Sequence, residues 1–298
     1  MATRKRFRLH LSSRTLVLGE RTLVMGVLNV TPDSFSDGGK FLDVQSAVEG
    51  GFQLERAGAD LLDIGGESTR PGAYPVDVQE ELDRILPVLE GFRGKLKIPI
   101  SVDTRKSEVA EAALRAGAEI LNDVSALRTD MKLAEVARRH RAPLILMHMR
   151  GNPTDMQKRP FARDVMRDVI GGLRQGVARA RKAGVAKSQI LLDPGFGFGK
   201  SYAQNYELLA RLPEIVALGF PVVTGTSRKS FVGRALANGK EPWPVEERLL
   251  GTAATVTAEI LGGAHIIRVH DVAEMIQVAR VASVIFASAG GRSRKRNG

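Results

Sequence analysis

The chain has 298 residues, 43% of them apolar and 26% charged, which is enough for one large α/β barrel or two ordinary domains with a substantial core. It has no cysteine, which excludes disulfides, thiolate nucleophiles and cysteine-based zinc sites and agrees with a cytoplasmic location. Of the net charge of +11, eight charges come from Arg4, Lys5, Arg6 and Arg8 at one end and Arg292, Arg294, Lys295 and Arg296 at the other; the rest carries only +3, so solvated, disordered ends account for the basicity better than a nucleic-acid interface does.

Residues 7–11 and 14–18 alternate weakly, and Gly19-Glu20 is placed to turn the chain. They predict a small hairpin closing the bottom of a larger unit. Eight short β-rich runs follow, at 22–28, 60–64, 99–102, 119–121, 143–147, 189–192, 221–224 and 265–269. Between and after them, helical patterns occupy 45–57, 78–91, 107–116, 132–139, 165–183, 206–218, 245–261 and 272–289. Gly58, Gly117, Gly184, Gly219 and Gly263 fall where helices give way to strands, as left-handed helix ends require. Eight βα units with strands apolar throughout predict a parallel sheet buried on both faces, closed as a (β/α)8 TIM barrel with a short N-terminal β-hairpin. The expected divisions are a basic extension and hairpin at 1–21, the barrel at 22–289 and a basic tail at 290–298. No apolar run reaches the ~18 residues of a membrane span, and no apolar signal core follows the basic start.

The strand ends deliver Asn29, Asp63, Asp103, Asn122, His148, Asp193, Ser227 with Arg228 and Lys229, and Arg268 with His270. The C-terminal rim is where such barrels build their sites. Each residue alone could cap a helix or satisfy a turn. Five acids or amides together suggest a ligand rich in N–H donors. The glycine strings at 65–72 and 193–200 belong to rim loops and match no phosphate-cradling or dinucleotide fingerprint.

The strings MGVLNVTPDSFSDGG (25–39), DIGGESTRPGA (63–73), SVDTRK (101–106), LNDV (121–124), MHMRGNP (147–153), LDPGFGFGK (192–200), GTSRKSFVG (225–233) and IRVHD (267–271) resemble the dihydropteroate synthase family, in order and through all eight units. The resemblance implies that Asp63, Asp103, Asn122, Met147, Asp193 and Lys229 hold a pterin. Carboxylates and an amide suit its adjacent N–H groups, and a lysine suits its carbonyl. It implies that Asn29, Thr69, Arg268 and His270 hold a diphosphate, with Mg2+ on Asn29. It implies that Phe35, Thr69, Arg70, Pro71, Phe198 and Ser230 form a p-aminobenzoate pocket, which sulfonamides would share. For Met147, core packing and ring contact remain equal readings.

The implied reaction, a step of folate biosynthesis, displaces diphosphate from 6-hydroxymethyl-7,8-dihydropterin diphosphate by the amine of p-aminobenzoate to give 7,8-dihydropteroate. An SN1-like course is expected, with Asp103, Asp193, Lys229, Arg268 and His270 as the catalytic set and loops 32–40 and 69–73 excluding water. No Ser–His pair stands in a recognisable setting. A pterin-dependent methyltransferase and a non-catalytic paralogue are the alternatives. The expected partners are small molecules and a second copy of the chain, docked through the last helices; neither nucleic acid nor membrane is expected.

Overall fold

A computed structural model describes residues 4–31, 40–68, 73–152, 156, 162–237, 239 and 241–291. Strands β1 (Phe7–His10) and β2 (Thr15–Leu18) form the expected antiparallel hairpin. Its Leu9 and Leu18 pack with Leu23, Met25, Leu61, Ile120, Ile145, Leu191, Val223 and Ile266 in one buried cluster. Those partners are the first inward-facing residues of the barrel strands, so the hairpin plugs the bottom of the barrel.

The barrel starts with β3 (Leu23–Asn29), α1 (Lys40–Arg56), β4 (Leu61–Gly65), α2 (Val78–Phe92), β5 (Ile100–Asp103) and α3 (Ser107–Arg115). It continues with β6 (Ile120–Asp123), α4 (Lys132–His140), β7 (Leu144–Met147), α5 (Val165–Lys182), β8 (Ile190–Asp193), α6 (Tyr202–Ala210) and α7 (Leu212–Val216). It ends with β9 (Val223–Thr224), α8 (Ser230–Leu236), α9 (Leu249–Leu261), β10 (Ile266–Val269) and α10 (Val272–Gly291). The eight strands from β3 to β10 are parallel to their neighbours, β10 returns to β3, and a parallel bridge between Leu192 and Val222 joins β8 to the start of β9. The expected (β/α)8 barrel is what the chain forms. All five glycines assigned to αβ turns have positive φ.

Several boundaries differ. The helix expected over 206–218 is two helices, because Arg211 leaves the helical conformation and Pro213 restarts the chain in the first turn of α7. The helix expected from 245 begins at Leu249, after a single 3-10 turn over Val245–Glu247. Helix α8 was read only as rim loop, since seven residues give too little periodicity to detect.

The amino-terminal basic residues are not a loose tail. Arg4 Nη2 donates to the Ile260 carbonyl at 3.0 Å and the guanidinium stacks on the Phe286 ring at 4.6 Å. The Lys5 carbonyl takes a hydrogen bond from His265 Nε2 at 3.0 Å. The basic residues 292–298 lie outside the described residues.

Helix α10 also departs from expectation. By length and hydropathy alone Val272–Ala289 could cross a membrane, contrary to the reading that no run is long enough. It packs on α9 and β3 through Val272, Met275, Ala279 and Ala282. Val272 and Ala279 are buried, and Ile276 between them only partly. Met275 and Ala282 are buried with them. The exposed apolar face is Val281, Val284 and Ile285, with Val281 64% and Val284 66% exposed.

Candidate active site

Side chains alternate across a strand with period two. Two residues after the apolar plug positions Leu61, Ile120, Ile145, Leu191 and Ile266 come Asp63, Asn122, Met147, Asp193 and Arg268; two after the buried Ser101 comes Asp103. The same parity that fills the barrel bottom with leucine and isoleucine therefore aims this second tier into the mouth. The intervening residues Leu62, Val102, Leu121, Leu146, Leu192 and Ile267 point outward into the layer under the helices.

The tier is wired across the barrel. Asp63 is fully buried, and its Oδ2 accepts from Arg268 Nε at 2.6 Å and from Asn122 Nδ2 at 3.1 Å. Arg268 Nη2 reaches Asp103 Oδ2 at 3.4 Å. Burial, then the neighbouring Asp63 charge, pushes the Asp103 carboxyl up to about 8, while Arg268 opposes the rise. Asp193 is likewise raised by burial, against the Gly195 amide that donates to its Oδ1 at 2.7 Å. Asp63 Oδ1 and Asn122 Oδ1 are buried with no hydrogen-bond partner among the described residues. Unsatisfied acceptors in a buried site cost free energy unless a ligand supplies donors.

Asp103 and Asn122 do not cap helices. Asp193 does both jobs: one oxygen holds the Gly195 turn and the other stays in the mouth.

Lys229 closes the other side. Its ammonium donates to the Phe196 carbonyl and sits 4.4 Å over the Phe198 ring, a cation–π contact. Burial lowers it to about 8, with Asp193 opposing. Gly197 holds φ at 80°, which favours glycine, and a Cβ there would also stand 3.0 Å from Lys229 Cδ. Phe198 is only partly buried and packs on a small cluster of Val124, Met147, Met149 and Met156. Met147 thus serves the core while forming the wall beside Phe198.

On the rim, Asn29 Oδ1 and Asp103 Cβ would lie 3.9 and 3.7 Å from a Cβ on Gly65, so that glycine keeps open the space between them. His270 Nδ1 is 3.1 Å from Ser227 Oγ, which also accepts the His270 backbone N–H at 3.2 Å. Ser227 and His270 are thus paired by hydrogen bonds. The pair ties the loop after β9 to the end of β10 and orients the imidazole. Arg228, at φ 59°, pairs its Nε with Asp271 Oδ2 at 3.0 Å and fixes the same junction. Ser230 is exposed at the start of α8. Phe35, Thr69, Arg70 and Pro71, and with them most of the expected p-aminobenzoate pocket and both loops, lie outside the described residues.

His148, also a strand-end residue, faces away from the mouth: its Nε2 is 3.5 Å from Asp168 and its Nδ1 3.1 Å from Lys200 Nζ.

Three groups escaped sequence reasoning. Lys200 is buried and donates to the carbonyls of Gly195 at 2.7 Å and Phe198 at 3.1 Å, so it shapes the loop that carries Phe198. Glu67 binds Arg105 at 2.6 Å and Lys106 at 3.1 Å, joining the loops after β4 and β5, and Lys106 also reaches the buried Glu81. Glu259 lies on the buried stripe of α9 with Thr252, Val256 and Ile260, a spacing that could have exposed it in the sequence. Neither of its carboxyl oxygens has a hydrogen-bond partner among the described residues.

Burial pushes Glu259 up to about 8, with the Asp193 charge adding to the rise and the Lys229 charge opposing it. Between the ordinary glutamate pKa and about 8 the folded chain keeps a proton that the unfolded chain releases, so this group costs stability as pH rises through that window. Glu259→Gln should therefore stabilise the protein more at pH 8 than at pH 5, by on the order of a few kcal/mol at the upper end. Thermal denaturation at both pH values checks this; an equal change in Tm would show that Glu259 is ionised in the folded state at both.

Fold and mouth together define a barrel enzyme that takes a flat ring rich in N–H groups. The model of the family described as pterin binding enzyme matches residues 25–270. The dihydropteroate synthase of Synechocystis is 48% identical over 272 residues, covering 90% of this chain and 91% of that one. Two solved Xanthomonas albilineans dihydropteroate synthases superpose closely. One, with 4-aminobenzoic acid, has TM-score 0.87 and 44% identity and covers 95% of this chain and 99% of its own. The other, in complex with 7,8-dihydropteroate, has TM-score 0.84 and 42% identity over 94% and 99%. The chain belongs to the dihydropteroate synthase family.

Proposed function

We propose that this chain condenses 6-hydroxymethyl-7,8-dihydropterin diphosphate with p-aminobenzoate, releasing diphosphate and 7,8-dihydropteroate. The observation that carries the proposal is the second-tier ring: the buried, unpartnered Asp63 Oδ1 and Asn122 Oδ1, with the buried Asp193 carboxyl beside them and a lysine and an arginine in the same tier. The pterin's adjacent N–H groups would meet Asp193 and Asn122, and Lys229 would meet its carbonyl. Asp103, its carboxyl pushed up by burial, would have its ionised form favoured as positive charge develops on the ring and methylene, any proton it carries passing to solvent. Arg268 and His270 would take the diphosphate as it departs. The p-aminobenzoate amine then attacks the methylene carbon, the C–O bond to diphosphate having broken, and loses its proton to solvent or phosphate. Phe198, held by Lys200 and roofed by Lys229, would support the aromatic amine, with Ser230, Thr69, Arg70, Pro71 and Phe35 completing its pocket.

Among the described residues no group of three or more His, Asp or Glu is built to hold a metal. The rim amide of Asn29 offers one hard oxygen, and Mg2+ commonly pairs so few protein donors with phosphate oxygens and water. These donors fit. When bound, Mg2+ supplies charge neutralisation to the leaving diphosphate.

A coupled assay of diphosphate release, with and without p-aminobenzoate and with and without EDTA, tests the reading. Release that requires both the amine and the metal is expected. Release without the amine would mean hydrolysis, and no release would favour a non-catalytic binder.

The reading also includes a homodimer and a cytoplasmic location. Val281, Val284 and Ile285 on α10 give an exposed apolar face that a second copy would cover. Light scattering at micromolar concentration should give a dimer mass, and Val284→Asp should shift it to the monomer. A monomeric mass for the unmutated chain would overturn the dimer.

A further inference from the structure

A cavity of about 540 Å³ lies apart from the barrel mouth. It lies between the loops after β6 and β7 and the outer helix α5, and none of Asp103, Asp193, Lys229, Arg268 or His270 lines it. Five arginines do: Arg128, Arg150, Arg163, Arg167 and Arg179. Among the described residues, the carboxylates on its wall are Asp164 and Asp168, and both are engaged. Asp164 Oδ1 caps α5 by accepting from the Arg167 backbone N–H at 3.0 Å. Asp168 is shared between Arg150 and His148, each at 3.5 Å.

Arg128 and Arg179 are held by backbone carbonyls, and among the described residues neither forms an ion pair. Arg128 Nε donates to the Ser125 carbonyl at 3.0 Å and its Nη2 to the Met149 carbonyl at 2.5 Å. Arg179 donates twice to the Ala126 carbonyl, at 2.9 and 3.1 Å. These bonds fix both guanidiniums on backbone dipoles instead of on carboxylates. Burial and then the neighbouring Arg179 charge pull Arg128 below its ordinary pKa, with Asp123 and Asp168 opposing.

The backbone is bent to make this arrangement. Ala126 and Leu127 have φ of 49° and 63°, a conformation few non-glycine residues adopt and one that tends to mark functional sites. The Ala126 side chain leaves so little room that a Cβ on Gly176 of α5 would come within 3.1 Å of it. Five residues earlier, a Cβ on Gly171 would meet nothing within 4 Å, whereas one on Gly172 would meet the His148 ring at 2.5 Å. Met147 and Met149 give the cavity an apolar side.

We propose that this cavity is a second anion site, distinct from the diphosphate position in the mouth, that binds a small phosphorylated molecule through Arg128, Arg179 and the arginines of the α5 side. Its volume exceeds that of a phosphate group, and its methionine side would take the organic part of the ligand. Charge-assisted bonds from fixed guanidiniums to phosphate oxygens are the strong, geometrically specific kind.

Equilibrium dialysis with labelled inorganic diphosphate tests the site in the full chain. The charge reversal Arg163→Glu with Arg167→Glu, at two exposed positions, should remove one equivalent of bound diphosphate or weaken it at least tenfold. Dihydropteroate formation and the circular dichroism spectrum should stay as in the unmutated protein. A milder Arg163→Gln with Arg167→Gln pair should weaken binding less, as expected of a charge effect. Diphosphate stoichiometry and affinity unaltered by charge reversal would overturn the proposal, as would loss of binding only in variants of the mouth.

Discussion

Arg268→Ala should abolish measurable turnover and also destabilise the fold, by about 3–5 kcal/mol, the usual cost of removing one member of a buried ion pair. Arg268 is the cation that Asp63 needs: Asp63 is fully buried, and the 2.6 Å bond from Arg268 Nε balances its charge. The same guanidinium extends to Asp103 and faces the position proposed for diphosphate. Structural and chemical roles separate in the double variant Arg268→Ala with Asp63→Asn, which no longer buries an unpaired carboxylate. It should recover most of the stability but not the turnover. Urea denaturation and steady-state diphosphate release provide the two readouts. A single variant that unfolds normally and turns over normally would remove Arg268 from both roles.

Asp193→Asn should weaken pterin diphosphate binding by roughly 10- to 100-fold, since a hydrogen bond to a charged acceptor contributes about 1.5–3 kcal/mol. The structure makes this a clean substitution. The bond from the Gly195 amide to Oδ1 can be kept by an asparagine oxygen, so the loop need not move. What changes is the atom facing the mouth, from an acceptor to an N–H2 that opposes the ring's own N–H donors. The ionised carboxylate is also costly in the empty site, because burial raises its pKa, and ligand donors relieve that cost on binding. Calorimetric titration with the pterin diphosphate reads the change. Unaltered affinity would show that Asp193 only builds the loop, and the ring would then have to be held by Asp63, Asn122 and Lys229.

Much of this site was legible in the sequence because a strand is a local ruler. Once 60–64, 119–121 and 189–192 are recognised as buried strands, the positions of Asp63, Asn122 and Asp193 at their ends follow from pleat and chain direction, and the barrel's closure brings those ends to one rim. The helix ends at Gly58 and Gly263 were readable for the same reason, since positive φ is a property of one residue. Short or interrupted elements were harder. The break at Arg211 depends on Pro213 two residues on, and α8 is too brief to show a face.

What the sequence by itself determined is the eightfold succession of strand and helix, the hairpin at its start and the identity of the polar tier, all of which rest on periodicities of two and 3.6 residues. Only the tertiary structure decided which charges meet. The Asp63–Arg268 pair joins residues 205 apart, Lys200 turns back into its own loop, and Arg4 leaves the expected tail to lie on Phe286. The face of α10 left open, and the gathering of five arginines beside α5, likewise depend on how helices settle on the barrel. Pair energies between charges depend on separation and burial, and neither is defined until the chain has closed on itself.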